Sequence, residues 1–358
     1  MEMGLSLNSA IFIVWTRSRW GGEVMRNYKL DNIRFVLIFF VVFAHLLEAF
    51  NSWQTQSIYR VIYSFHMPAF LFLTGYFAAF KPRKILLSLA YPYLLLQLVY
   101  ILFNRTVLGN PLPYQVTTPY WLLWYLLVCV YYYCLTPLLV TKKPWARALI
   151  LCVSVAMAIA AGLFSKIGYY LSLSRALSFL PFFIAGYYAG HPARERPTPT
   201  RFFRPRVALI CAAGVVLAGY FILKHPEIPS NAMYHAVSYS ATGSSPAVRA
   251  GLMLAAAFWI GLFLAWAPKR KLPVISVVGA NTFSIYLLHG FVIVVLKAHQ
   301  IFVYSFKANL ILAAGLALGM LLLFGNAAAA KLFCTAFTGE WIYKVGKKLG
   351  SRIKGAEE

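Results

Sequence analysis

The stretch DNIRFVLIFFVVFAHLLEAF, residues 31–50, decides the fold. Between Arg34 and His45 almost every residue is branched or aromatic and apolar, as in a helix that crosses hydrocarbon. The same stretch holds Asp31, Arg34, His45 and Glu48, which a lipid-facing helix does not tolerate. Arg34 and His45 are eleven residues apart. At about 100° per residue they fall roughly 20° beyond three full turns, on one face. Asp31 is three before Arg34 and Glu48 three after His45, so the stripe extends by i,i+3 steps. His45 is expected roughly 16 Å along the axis from Arg34, near mid-bilayer. Such a face must line protein or water.

Composition agrees with a membrane reading. The chain has 358 residues, 61% hydrophobic and 12% charged, with a mean hydropathy of +0.70. A soluble domain sits near 45–50% apolar and about 25% charged. The apolar runs are about 17–25 residues long and do not alternate with period two, which favours helices over a barrel. Ten spans are expected, at about 33–50, 58–80, 85–103, 119–140, 147–164, 176–190, 205–223, 249–267, 275–297 and 308–334. Pro68 is expected to kink the second and Pro181 the sixth.

The net charge of +24 does not point to nucleic acid, because the basic residues sit in short loops between apolar runs. Most of the 33 Lys and Arg fall on one side if both termini are cytoplasmic. The expected architecture is therefore all-α: one integral membrane bundle of about ten helices with both ends inside. Its basic tail, residues 336–358, would lie on the inner membrane surface against lipid. Residues 26–335 form the membrane domain, and 1–25 an N-terminal extension in which LSLNSAIFIVW is too short to span. Met25 is the expected true start. The five cysteines lie in or beside apolar segments without CxxC spacing, so neither a disulfide framework nor a metal site is expected.

Of the nine acidic residues, only Glu48 is expected well inside a helix. His66, in YSFHMPAFLFLTGYF (63–77), and His289, in NTFSIYLLHGFVIVV, are expected near the depth of His45. His289 reads either as an interhelical hydrogen-bonding group or as part of a site. KPRK (81–84) is an orientation signal and also a candidate phosphate-binding patch. Trp121, Trp124 and Tyr125 read as an interface belt and packing.

At these residues the chain resembles the acyltransferase-3 family of membrane O-acyltransferases, nearest its fucose 4-O-acetylase-like branch. The likeness rests on Arg34 and His45 as R-x10-H, then FHMPAFLFLTGYF (65–77), YPYL (91–94), WYLL (124–127), SRALSFLPFFIAGYY (174–188) and GANTFSIYLLH (279–289). It covers about residues 26–297 in order. The resemblance implies transfer of an acetyl group from cytoplasmic acetyl-CoA to a hydroxyl of a carbohydrate or cell-envelope glycan, at the cell (inner) membrane. It makes His45 the essential catalytic residue and Arg34 its paired arginine. It also makes Lys81, Arg83 and Lys84 the counterpart of a basic motif that in the family carries paired arginines.

Acyl transfer suits the residues themselves. His45 is the candidate general base, Glu48 its orienting carboxylate and His66 an oxyanion donor or proton relay. Arg34, Lys81, Arg83 and Lys84 would meet the CoA phosphates. Arg175, His289 and Trp124 would contact the acceptor or a lipid-linked phosphate. Direct transfer and an acyl-histidine intermediate both remain open. The competing class is a proton-coupled transporter or flippase with His45, Glu48 and His66 as its relay. The lack of an evident pair of broken helices or repeat halves counts against it.

Overall fold

The computed structural model describes residues 17–20, 23–50, 52–109, 117–190, 205–339 and 341–343. Most of the expected N-terminal extension, the loop at 191–204 and the basic tail past Tyr343 lie outside these residues. Two short antiparallel strands come first, β1 (Arg17–Trp20) and β2 (Glu23–Arg26), with Arg17 opposite Arg26. Among the described residues, every regular element after them is helical.

Helix α1 runs Tyr28–Leu47 and begins five residues before the expected span. The reason is its cap: the Asn27 side chain accepts the Leu30 amide and satisfies a donor the first turn would leave open. The earlier start moves the frame. His45 falls in the last turn and Glu48 caps the C-terminal end, so Glu48 is not inside the helix as expected. Asp31, in the first turn, is the fully buried acid. Of the apolar stretch of α1, 72% is buried, against 17% for α8 (Pro205–Lys224). The polar stripe is thus on the most enclosed of these helices.

The second expected span is two helices, α2 (Trp53–Tyr63) and α3 (His66–Phe77). Ser52 and Thr55 form a capping box that starts α2. The break at Ser64–Phe65 follows from Pro68, which has no N–H for the Ser64 carbonyl and whose ring crowds it. Pro68 itself then sits comfortably in the first turn of α3. Helix α4 (Pro82–Thr106) contains a π turn at Leu86–Ala90. It is followed by α5 (Trp124–Leu135), α6 (Pro144–Ala160) and α7 (Leu173–Gly190), which carries Pro181 inside it. After α8 come α9 (Pro246–Trp266), α10 (Pro273–Ala280), α11 (Thr282–Ala298), α12 (Phe306–Gly325) and α13 (Ala327–Phe337).

Among the described residues, six helices are long and apolar enough to cross a membrane: α1, α4, α6, α8, α9 and α12. The expected span at 275–297 is instead a bent pair, α10 and α11, turned by 77° at Asn281, and counting it makes seven. The fold is an all-α, multi-pass bundle. Helices α3 and α7 approach backbone to backbone, because a Cβ on Gly75 would strike the Phe183 carbonyl and one on Gly186 the Phe72 carbonyl. Around α1 pack α2, α3, α10, α11 and α12, while α6 and α8 show apolar side chains outward.

Candidate active site

Helix α1 positions the site through its two ends. At the first turn, Asp31 accepts from Arg26 Nε at 2.7 Å and lies 3.6 Å from Arg34 Nη1. Arg26 also donates to the Ser276 carbonyl at 2.8 Å, and Ser276 Oγ to Asn32 at 2.7 Å, tying α10 to α1. The Arg34 guanidinium lies over the Phe77 ring, 4.6 Å from its centre. Lys84 is within electrostatic reach of both Arg34 and Lys81, so part of KPRK joins this end. Arg83 lies over the Tyr343 ring at 3.4 Å.

Three turns on, His45 Nδ1 is 2.9 Å from Glu48 Oε1. A carboxylate has no proton to give, so the ring nitrogen donates and the tautomer is set. Tyr59 and Tyr63 each donate to the same Glu48 oxygen at 3.1 Å. Lys297, from α11, donates to Oε2 at 2.7 Å. Tyr59 also bonds the Tyr234 hydroxyl at 2.7 Å. The Trp121 ring lies 4.7 Å from the imidazole, on a backbone with φ of 31°, a conformation rare for so bulky a residue.

A cavity joins the two ends. Its walls include Arg34 at one end and His45, His289 and Trp124 towards the other, with Ile38, Leu73 and Leu126 giving it an apolar lining. Its empty space is about 1040 Å³, part of it open to solvent. The 77° bend at Asn281 brings Thr282, Phe283, Tyr286 and His289 onto it.

His45, His66 and His289 play unequal parts. His289 stacks on His45 with ring centroids 5.9 Å apart. Its Nδ1 donates to the carbonyls of Ile285 and Tyr286, at 2.9 and 3.0 Å, and its buried Nε2 has no hydrogen-bond partner among the described residues. His66 donates through Nδ1 to the Ile62 carbonyl at 2.9 Å and packs edge-on under Tyr63 at 4.5 Å. Held that way, a neutral His66 offers Nε2 only as an acceptor. Arg175 is close by: Nε donates to the Tyr234 carbonyl at 3.3 Å, and the guanidinium lies between the Trp124 and Tyr169 rings, 5.1 and 5.2 Å from their centres.

Sequence reasoning passed over Lys297, Tyr59, Tyr63 and Tyr234, and read Trp121 only as interface belt and packing. For two of them a signal existed. Tyr59, Tyr63 and His66 follow i,i+4 and i,i+3 spacing up to the break. Nothing in the spacing links Lys297 or Tyr234 to Glu48, since they arrive from distant segments.

The fold defines a multi-pass membrane protein with a carboxylate-held imidazole on an internal cavity. The chain belongs to the acyltransferase-3 family, whose model, described as an acyltransferase domain, matches residues 27–326. It is a membrane acyltransferase. No curated protein and no solved structure matches it significantly.

Proposed function

We propose that the protein is an O-acetyltransferase that moves an acetyl group from acetyl-CoA to a hydroxyl of a sugar or cell-envelope glycan at the cell membrane, as in the fucose 4-O-acetylase-like branch. The observation that carries this reading is the cavity itself, with Arg34 at one end and the His45–Glu48 pair at the other. The donor suits that layout: Arg34 and Lys84, with Lys81 and Arg83 beside them, meet the CoA phosphates as charged donors. The pantetheine arm follows the apolar wall and brings the thioester to His45.

His45 Nε2 takes the proton of the acceptor hydroxyl as its oxygen attacks the thioester carbonyl. The C–O bond forms, the C–S bond breaks, and the imidazolium returns the proton to the departing thiolate. Glu48 orients the ring and stabilises its charged form. His289, whose buried Nε2 beside His45 can only accept, takes a hydrogen bond from a second hydroxyl of the acceptor sugar. Arg175 and Trp124 hold the rest of the acceptor, with the indole face offered to a sugar ring. His66 supports Tyr63 and relays protons; as a neutral Nδ1–H tautomer it does not serve the oxyanion.

Purified protein in nanodiscs, given radiolabelled acetyl-CoA and a glycan acceptor, is expected to label the glycan and to lose this on His45→Ala. Full activity in that variant would overturn the assignment. The two broken segments, at Ser64–Phe65 and at Asn281, restore one argument for the transporter reading. Proton-coupled glycan uptake into liposomes without acetyl-CoA would decide in its favour.

A further inference from the structure

Glu48 holds more partners than an orienting carboxylate needs. Three donors converge on Oε1: His45 Nδ1, Tyr59 and Tyr63. Oε2 is met by Lys297 Nζ at 2.7 Å. That ammonium comes from the last turn of α11, eight residues beyond His289, and also lies 4.9 Å from the centre of the Trp121 ring. Trp121 therefore touches both the imidazole and the cation.

We propose that Lys297 is a positioning residue for acyl transfer, holding Glu48 Oε2 so that Oε1 stays presented to His45. The inference rests on the acetyltransferase reading above. Two physical arguments lead to it. The last torsion of a glutamate side chain is broad and roughly two-fold, so donors on one oxygen alone leave the carboxylate free to swing. A charge-assisted bond on the second oxygen fixes the plane, and with it the direction of the His45 Nε2 lone pair. The second argument is charge. In a low-dielectric site, a lone carboxylate beside an imidazolium would hold the transferred proton tightly. Lys297 shares the carboxylate's charge, so the imidazolium remains able to release its proton to the departing thiolate.

Trp121 explains how a flexible lysine is kept in place. Its ring, set by the left-handed backbone at φ of 31°, covers the ammonium on one side while Glu48 holds the other. Other polar groups near the pair are Tyr234, through Tyr59, with Arg175 on the Tyr234 carbonyl, His66 under Tyr63 and His289 stacked on the imidazole. None of them reaches Oε2, leaving that oxygen to Lys297 among the described residues.

The test is a cycle of Lys297→Met and Glu48→Gln in nanodiscs, with Lys297→Arg as the conservative control. Lys297→Met is expected to lower kcat by ~10²-fold, the scale of a misplaced catalytic group, with KM for acetyl-CoA unchanged. Lys297→Arg should recover most of the loss. In the Glu48→Gln background, Lys297→Met should change kcat by less than about 3-fold, because the group it positions has gone. An unchanged kcat in Lys297→Met, or equal losses in both backgrounds, would overturn the proposal. If Lys297→Met does not fold, Lys297→Gln takes its place. If the wild-type protein transfers no acetyl group, the functional reading fails on its own. The same cycle is then read on melting temperature, where additive losses reject the Lys297–Glu48 pairing and coupled losses support it.

Discussion

The imidazoles of His45 and His289 face each other with planes 28° from parallel and centroids 5.9 Å apart, one from each end of the family's matched region. They are not equivalent. His45 gives Nδ1 to a carboxylate, whereas His289 gives Nδ1 to carbonyls of its own helix. The carboxylate, with its full negative charge, stabilises an imidazolium far more than neutral carbonyls do. His289→Ala is therefore expected to lower kcat/KM for the acceptor by roughly 10-fold, the loss of one hydrogen bond of ~1.5 kcal/mol. His45→Ala should cost ~10²–10⁴-fold. Equal losses in steady-state assays would make His289 a second essential base and refute the assignment.

Glu48 and Tyr63 separate orientation from binding. Glu48→Gln keeps the shape but loses the charge that supports the imidazolium, so kcat should fall by ~10²–10⁴-fold with little change in the affinity for acetyl-CoA. Tyr63→Phe removes one of the donors on Oε1 and should lower kcat by about 10-fold. Single-turnover kinetics with saturating acetyl-CoA distinguish these losses from slow product release; an unchanged kcat in Glu48→Gln removes the carboxylate from the mechanism.

The polar face of α1 was legible because helical geometry is local. Arg34, His45 and Glu48 line up by counting residues, and the cavity between Arg34 and His45 follows that line. The ends of helices were less legible. Asn27 capped α1 early, and Pro68 acted four residues upstream, at Ser64, where a helix bond would have ended. The bend at Asn281 lay in an apolar run with only Gly279 and Asn281 to mark it. Lys297 and Tyr234 were out of reach altogether, since no periodicity within α11 or the turn at Tyr234 speaks of a carboxylate on α1.

Asp31 tests the opposite end of the same helix. It is fully buried between Arg26 and Arg34, so Asp31→Asn removes a carboxylate that both arginines face. Breaking a buried pair by removing one partner destabilises by about 3–5 kcal/mol. Thermal unfolding in detergent should show a clear drop in melting temperature, larger than for Arg26→Gln, whose side chain is part-exposed at 28%. A melting temperature equal to the wild type would mean the arginines are solvated in place.

The KPRK segment separates donor binding from topology. Lys84 lies in electrostatic reach of Arg34, while Arg83 is on the Tyr343 ring. Lys84→Ala is expected to raise the KM for acetyl-CoA by roughly 10-fold with kcat nearly unchanged, as the loss of a charged hydrogen bond to a phosphate would. Arg83→Ala should do less. Dephospho-CoA donors sharpen the comparison: if Lys84→Ala weakens them as much as acetyl-CoA, the contact is to the diphosphate and not to the ribose phosphate. No change with either donor returns KPRK to a role in orientation alone.

The last prediction concerns what holds the cavity wall in place. Helix α3 supplies Met67, Phe70, Leu73 and Thr74 to the cavity, and it is pressed onto α7 where Gly75 and Gly186 meet carbonyls directly. In hydrocarbon the association of two helices rests on close packing and not on expulsion of water, so small residues at the crossing matter most. Gly186→Leu places a branched side chain against the Phe72 backbone, which cannot yield as a flexible side chain would. The variant is expected to lose monodispersity in detergent or, where it folds, to shift α3 and raise the KM for acetyl-CoA. Gly219→Leu on α8, where a Cβ meets nothing within 4 Å, is the control and should behave as the wild type. A well-folded, fully active Gly186→Leu protein would show that α3 and α7 do not depend on that crossing.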